Sequence, residues 1–193
     1  MAGHPKKGLR TKARLIFLDE SGFSERPSVR RTWAPKGETP IIRSTGSWQV
    51  RSVTGAIGCT PRGQKPRLFF KFSRRTITAP EVIRFLHQLR RHTRGKVILL
   101  WDGLPGHRAK LVQRFVIANR SWLTTERFPA YAPELNPVEY LWAAVKTKDT
   151  ANCSPTTLAD MDRRIRHGVR RLRRQPNVLT GCLRASGLFT KLS

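Results

Sequence analysis

Acidic residues are scarce in this chain of 193 residues: 12 Asp and Glu stand against 38 Lys and Arg, which gives a formal net charge of +26. A surface with so little negative charge repels itself unless a polyanion lies against it. Nucleic acid is the polyanion that attracts such a surface whatever the base sequence. An acidic membrane is the other partner that this charge would suit.

Long apolar runs are missing as well. No run approaches the roughly 20 residues that a membrane-spanning helix needs, and the start MAGHPKKGLRTKAR lacks the apolar core of a signal peptide. The sequence therefore predicts a cytoplasmic protein with no membrane partner. Residues 1–13 carry basic but no acidic side chains, and we expect them to form a basic N-terminal arm.

Cysteine is too rare and too dispersed to organise the fold. Cys59, Cys153 and Cys182 lie far apart, and no C-x-x-C spacing occurs. This pattern argues against a zinc site and against a disulfide framework, and it predicts three reduced thiols.

The hydrophobic pattern predicts a β-rich first part followed by strands and helices in turn. Short apolar or alternating runs bounded by Gly and Pro predict strands, at 14–21, 29–34, 50–58, 67–72, 96–102 and 122–128. Helical spacing of apolar residues predicts helices, at 78–94, 108–119, from Asn136 onward, and 156–174. Antiparallel strands followed by crossover helices are typical of an α/β fold with a mixed β-sheet and helices on its faces.

Two of the few acids end the two most apolar strands. Asp19 follows RLIFL, and Asp102 follows KVILLW. In a sheet with this order of elements the two strands can be parallel neighbours, which would bring both carboxylates to the same edge. Taken alone, either Asp is more typical of an ordinary turn at the end of a strand.

A third acid, Glu139, stands at the start of a predicted helix. Asn136 suits the N-cap, Pro137 suits the first helical position, and Glu139 at N3 could reach back to the cap, so capping alone explains it. However, three convergent carboxylates in a basic protein repel one another unless a cation lies between them. Mg²⁺ prefers such oxygen ligands, so a metal site is the alternative.

The segments around these acids resemble the catalytic blocks of a known family. FLDESGF, LLWDGLPGHRA and YAPELNPVEYLW are similar to the three blocks of the DDE transposases of the IS630/Tc1/mariner superfamily, and RRTWAPKGETP at 30–40 resembles the stretch after the first block. The resemblance implies an RNase H-like fold with helices on both faces of the sheet. It also implies that Asp19, Asp102 and Glu139 are catalytic and bind Mg²⁺ or Mn²⁺, as two ions, for DNA strand cleavage and strand transfer.

The family resemblance also implies partners and a location. We expect the substrates to be transposon ends and target DNA, the protein to form a homodimer, and its place to be the bacterial cytoplasm at the nucleoid. Only a short segment precedes Asp19, so we expect a separate polypeptide or an upstream reading frame to supply a helix-turn-helix domain. Gly103 stands where many relatives have Asn, and the interval from Asp102 to Glu139 is slightly longer than expected.

Basic residues cluster in two places that we predict to contact DNA. The helix at 156–174 carries many arginines around one apolar stripe, and its contacts to the DNA backbone are predicted for Arg163, Arg166, Arg170 and Arg174. A solvated face of a packed helix is the alternative. Contacts near the cleavage site are predicted for Arg31, Trp33, Lys36 and His107. Trp33 and Trp48 could instead be core residues, and His107 could be a surface loop residue.

These segments give a predicted domain organisation. Residues 1–13 form the arm, 14–150 the catalytic domain, and 151–193 a basic helical extension packed on the same domain. Two other interpretations remain open at this point: a transposase remnant that has lost its activity, and a basic DNA-binding protein in which the three acids are only structural.

Overall fold

The computed structural model describes residues 12–26, 28–43, 49–73, 76–129 and 131–189. Most of the predicted N-terminal arm, and Trp48, lie outside these ranges. The described residues form a five-stranded sheet with the strand order β3-β2-β1-β4-β5. Its strands are β1 (Arg14–Ser24), β2 (Val50–Cys59), β3 (Arg67–Ser73), β4 (Val97–Trp101) and β5 (Leu123–Arg127).

The sheet is mixed, as predicted. β1, β2 and β3 form an antiparallel meander, and β4 lies parallel to β1 and to β5. The predicted parallel pairing of the first strand with the strand that ends at Asp102 is therefore confirmed. β1 continues to Ser24, so Asp19 lies within the strand and not at its end, although the pairing with β4 stops at Phe17 and Leu100.

Helices cover both faces of the sheet, which confirms the predicted fold class. One face carries α1 (Ala79–His92), α2 (Pro105–Arg108) and α3 (Lys110–Ala118). The other carries α4 (Pro137–Lys148), α5 (Leu158–Arg173) and α6 (Pro176–Ala185). The helix predicted at 108–119 corresponds to α3, whereas the short helix α2 before it and α6 were not predicted. None of the helices in the described part of the chain has both the length and the apolar character needed to cross a membrane.

The two faces explain why β1 is apolar along its whole first half. Successive strand residues point to opposite faces, so Leu15 and Phe17 pack in the core under α4, α5 and α6, while Ile16 and Leu18 pack under α1 and α3. All four are buried. By the same alternation Asp19 faces the α4 side and Glu20 the opposite side.

The strand predicted at 29–34 is wrong. These residues are exposed and have no strand assignment. Their backbone is fixed elsewhere: the Arg30 N–H donates to Asn152 Oδ1 at 2.7 Å, and the Asn152 side-chain amide donates to the Arg30 carbonyl at 3.0 Å. The Gly and Pro residues around this segment were misleading, because none of the strands in the described part of the chain pairs with it.

The C-terminal helices share the core of the sheet. Ile165 and Val169 of α5 and Leu183 of α6 belong to the same apolar cluster as Leu15 and Ile57 of the sheet. One continuous core therefore joins these elements, with α5 packed against β2 and β3 and α6 packed against β3.

Candidate active site

The acids predicted from three separate segments line one cleft of about 420 Å³. Asp19 comes from β1, Asp102 from the residue after β4, and Glu139 from the first turn of α4. Arg127 and Tyr131 stand on its walls as well. The parallel pairing of β1 with β4 and the start of α4 therefore bring these three carboxylates to one end of the sheet.

Asp19 is the most buried of the three carboxylates, with 7% of its surface exposed. Its Oδ2 accepts a hydrogen bond of 3.0 Å from the Trp142 indole N–H. Burial, followed by the negative charges of Glu139 and Asp102, raises the pKa of Asp19 to about 7. The effect of both neighbours on this pKa indicates that the three charges interact across the cleft.

Trp142 reaches Asp19 because β2 has no side chain at the crossing point. Gly55 pairs with Asp19 in the β1–β2 register, and a Cβ added at Gly55 would lie 2.5 Å from a ring carbon of Trp142. Trp142 itself is fully buried. Gly55 is therefore needed for the close approach of the indole ring to the strand.

We expect Gly55→Ala to lower the free energy of unfolding by about 1–3 kcal/mol, because the added methyl group overpacks the Trp142 site. The shifted indole would also release Asp19, so any cleavage activity should fall. Denaturant unfolding measures the first effect. Gly181→Ala is the control: its Cβ meets nothing within 4 Å in α6, so its stability should stay the same or rise by up to about 1 kcal/mol. Equal stability of the two variants would contradict the packing argument.

Asp102 is held in place by two hydrogen bonds to one oxygen. Its Oδ1 accepts from the Leu104 N–H at 3.1 Å and lies 2.7 Å from His107 Nδ1. Burial tends to raise the pKa of Asp102, but the hydrogen bonds from His107 and Leu104 outweigh it and lower this pKa. Asp102 therefore stays ionised under conditions in which Asp19 begins to take up a proton.

His107 links two carboxylates at this end of the sheet, those of Asp102 and Glu20. Its Nε2 lies 3.2 Å from Glu20 Oε1, and its ring stacks on Trp101 with the centroids 4.5 Å apart and the planes 9° apart. Burial lowers the pKa of His107, but the Asp102 and Glu20 carboxylates outweigh burial and raise it to about 9. Near neutral pH the ring is thus an imidazolium that donates to both carboxylates.

This arrangement supports a different role for His107 from the predicted one. Only 4% of its surface is exposed and both ring nitrogens have partners, so its position does not support the predicted DNA contact. Orientation of Asp102 is the role that the contacts favour. Sequence reasoning did not identify Glu20 as the second carboxylate that contacts His107. The only sequence signal was that alternation along β1 turns Glu20 away from Asp19.

Glu139 stands at N3 of α4 as predicted, but the helix is capped without it. Asn136 Oδ1 accepts from the Val138 N–H at 3.1 Å, and the Asn136 N–H, which a capping box would use, donates to the Pro133 carbonyl at 2.9 Å. The Glu139 side chain is exposed and lines the cleft. Its carboxylate is therefore available for another purpose.

The donor set of the cleft fits a hard divalent cation, because carboxylate oxygens are the ligands that Mg²⁺ and Mn²⁺ take. Within the described residues no three His, Cys, Asp or Glu side chains are gathered tightly enough to hold a metal ion. The contacts give the reason: Asp19 is drawn to Trp142, Asp102 is drawn to His107, and the three negative charges repel one another.

The residues predicted to contact DNA are on the surface, apart from His107. Arg31, Trp33 and Lys36 lie on the exposed segment after β1, and Trp33 is 99% exposed, which rules out the alternative that it is a core residue. On α5, Arg163 pairs with Asp160 at 2.7 Å, Arg166 lies over the Phe72 ring, and Arg170 and Arg174 line one shallow cavity.

Comparison with known proteins gives one family and several similar structures. A family model described as "DDE superfamily endonuclease" matches residues 14–161. No curated protein matches the chain. A structure of the Mos1 transposase paired-end complex with the left transposon end has a TM-score of 0.58 at 16% identity, covering 95% of this chain and 59% of that one. A Mos1 mariner paired-end complex with Mn gives a TM-score of 0.54 at 16% identity, with the same coverage of 95% and 59%.

A more distant protein has the same fold. The simian T-cell lymphotropic virus intasome in complex with a PP2A regulatory subunit gives a TM-score of 0.54 at 14% identity, covering 80% of this chain and 46% of that one. The chain thus spans less than two thirds of the length of each of these three chains. At these identities the likeness shows the fold, which is the predicted RNase H-like mixed sheet.

Proposed function

Because the chain belongs to the DDE superfamily of endonucleases, we propose that it is a transposase of the IS630/Tc1/mariner type that cleaves DNA strands and transfers them. The observation that carries the proposal is the cleft in which Asp19, Asp102 and Glu139 meet. Acids are rare in this chain, and three of them, from segments far apart in sequence, share one site in which the pKa of Asp19 is raised. Such clustering at an energetic cost is typical of a functional site.

Asp19, Asp102 and Glu139 would hold two divalent ions, Mg²⁺ or Mn²⁺. Ions bound there would make a water or a 3′-hydroxyl nucleophilic and stabilise the leaving oxygen of the phosphodiester. The protein's own part is orientation: Trp142 and Gly55 hold Asp19, and His107 with Glu20 holds Asp102. The exposed carboxylate of Glu139 can move toward the others when positive charge enters the cleft.

DNA is the partner that the charge of the chain favours. We propose that the transposon end and the target lie against the exposed cations, among them Arg31 and Lys36 beside the exposed Trp33, and the α5 arginines Arg163, Arg166, Arg170 and Arg174. Base stacking on Trp33 would hold an unpaired nucleotide near the cleft. A homodimer, a separate helix-turn-helix polypeptide or upstream frame, and a place at the bacterial nucleoid complete the proposal.

The domain organisation is part of the same proposal. Residues 14–150 would form the catalytic domain, 1–13 a basic arm, and 151–193 a helical extension on that domain. The packing of α5 and α6 in the core of the sheet supports the placement of the extension on that domain.

Nicking of a supercoiled plasmid tests the proposed function. With Mg²⁺ or Mn²⁺ the protein should convert the plasmid to open-circular and linear forms, and chelation of the metal should stop the reaction. A labelled transposon end with a free 3′-hydroxyl should then become covalently joined to target DNA. A plasmid that is retarded in a gel but stays covalently intact with either metal would instead identify a DNA-binding protein or an inactive remnant.

A further inference from the structure

A second concave surface, of about 650 Å³, follows the outer edge of β3. We call it the edge groove. Its floor is the edge strand, and its sides come from α1 and from α5. It shares no lining residue with the acidic cleft, since β2 lies between β3 and the strand β1 that carries Asp19. The edge groove is therefore an independent surface of the molecule.

The walls of the edge groove carry positive charge only. Arg67, Lys71, Arg166 and Arg173 line it, and none of the described lining residues is acidic. Burial lowers the pKa of Lys71, and the nearby cations Arg84 and Arg91 lower it further against the opposing effect of the Glu81 carboxylate. The four cations that line the groove, with no acid among the described lining residues, give it a positive potential that an anion would reduce.

The two arginines of α5 are held in position by aromatic rings of the strand. The Arg166 guanidinium lies 4.3 Å from the Phe72 ring centroid, and that of Arg173 lies 5.6 Å from the Phe70 centroid. Stacked guanidinium groups lose little side-chain freedom when they bind a phosphate, and their remaining N–H groups stay directed outward. The groove is therefore arranged in advance for anions with several oxygens.

The strand edge is not arranged to receive a peptide strand. Arg173 donates to the Leu68 carbonyl at 3.3 Å, and this uses a backbone acceptor that strand addition would need. Charged side chains along an edge strand also oppose pairing with another strand. An extended polyanion that contacts side chains, and not the backbone of β3, fits this surface better.

Phe70 in the floor of the edge groove is in register with Asp19 of the acidic cleft, two strands away in the sheet. Phe70 pairs with Gly55, and Gly55 pairs with Asp19. Two strand spacings therefore separate the backbones of Phe70 and Asp19, or roughly 10 Å. A DNA molecule engaged at the cleft is thus within reach of a second contact on the side of the molecule formed by β3.

We propose that the edge groove binds the phosphodiester backbone of double-stranded DNA, without reading its sequence, outside the segment held in the acidic cleft. The inference rests on the proposed function only in taking DNA as the partner. The groove would position the duplex, since backbone contacts fix orientation but carry no base information.

Binding of a fluorescently labelled duplex of arbitrary sequence, without divalent ions, tests this proposal. The variant Arg67→Ala/Lys71→Ala/Arg166→Ala removes three cations of the groove. Each lost phosphate contact lowers the slope of log affinity against log salt by about 0.9, so we expect a slope smaller by roughly 2–3 between about 50 and 200 mM salt, and affinity at least about tenfold weaker.

The matched control removes three cations from a surface outside the edge groove. Arg94→Ala/Lys96→Ala/Arg120→Ala changes three exposed cations in the connections before β4 and after α3, and its salt slope should equal that of wild type. Arg166→Lys keeps the charge without the planar stack and should also keep the slope. Should the triple groove variant not fold, Lys71→Ala alone still tests the proposal through an expected slope change of about one.

Three results would overturn the inference. Equal salt slopes for the groove and control variants, with wild type still binding DNA, would show that the groove does not bind DNA and would leave the proposed function intact. Absence of duplex binding by wild type would contradict both the DNA site in the groove and the proposed function. Tighter binding of poly-glutamate than of DNA to wild type, lost in the groove variant, would assign the groove to an acidic protein.

Discussion

Glu139→Gln is expected to reduce metal-dependent strand cleavage by roughly a thousandfold while leaving the unfolding free energy within about 0.5 kcal/mol of wild type. The structure separates the two effects because the Asn136 side chain caps α4, and the Asn136 N–H that a capping box would use already donates to the Pro133 carbonyl. A neutral amide is a poor ligand for Mg²⁺, so the cleft would lose one of its three charges. Plasmid nicking and thermal unfolding measure the two quantities, and DNA retention should be unchanged or slightly stronger.

Glu134→Gln is the matched control for this substitution. Glu134 is an exposed acid of the same connection, in the 3₁₀ turn Pro133–Leu135, and is not a residue of the cleft wall. We expect this variant to cleave at the wild-type rate. If Glu139→Gln melts like wild type and nicks DNA as fast, Glu139 has no part in the chemistry, and Glu134 becomes the next candidate for a third ligand.

Asp19→Asn is expected to stabilise the metal-free protein at neutral pH while abolishing cleavage. Burial and the neighbouring carboxylates raise the pKa of Asp19 from 3.8 to about 7, so the folded state binds a proton that the unfolded state has released. The wild-type protein therefore loses stability as pH rises from about 4 to 7, by about 4 kcal/mol in total. The amide avoids this loss and still offers an oxygen to the Trp142 N–H.

The measurement is a pH series of unfolding free energies in EDTA. The difference between Asp19→Asn and wild type should be small near pH 4, grow up to about pH 7, and stay constant above it. Mg²⁺ should stabilise wild type but not the variant, because the ion favours the charged carboxylate. Asp102→Asn is the contrast, since the pKa of Asp102 is lowered and its loss should destabilise the protein. A difference that does not change with pH would contradict the raised pKa.

The sequence predicted the parts of the fold that depend on local pattern. The apolar runs that end near Asp19 and Asp102 predicted two adjacent parallel strands, because few topologies connect elements in this order, and the pairing is confirmed. Asn136 and Pro137 predicted the start of α4, because helix capping depends on residues close together in the sequence. The helix α6 was missed although Pro176 at its start and the spacing of Leu179 and Leu183 carried the signal.

Other parts of the site depend on contacts between residues that no local pattern connects. The role of Gly55 depends on the Trp142 ring, which packs over it. The role of Glu20 depends on the His107 ring, which it contacts. The segment 29–34 lies between turn residues, which favours a strand, yet a strand needs a hydrogen-bonded partner, and none of the described strands pairs with it. Long-range packing of this kind cannot be predicted from propensity or spacing.

The central position of β1 has a consequence for the order in which the protein can fold. The ribosome synthesises Asp19 early, but its indole partner Trp142 follows 123 residues later. β4 must also pair with β1 before Asp102 can lie near Asp19. Such non-local closure is slow, and nascent chains fold from the N-terminus onward. An unfinished chain therefore exposes its cations before the acidic cleft is complete, and the three carboxylates can come together only after the chain has emerged beyond α4.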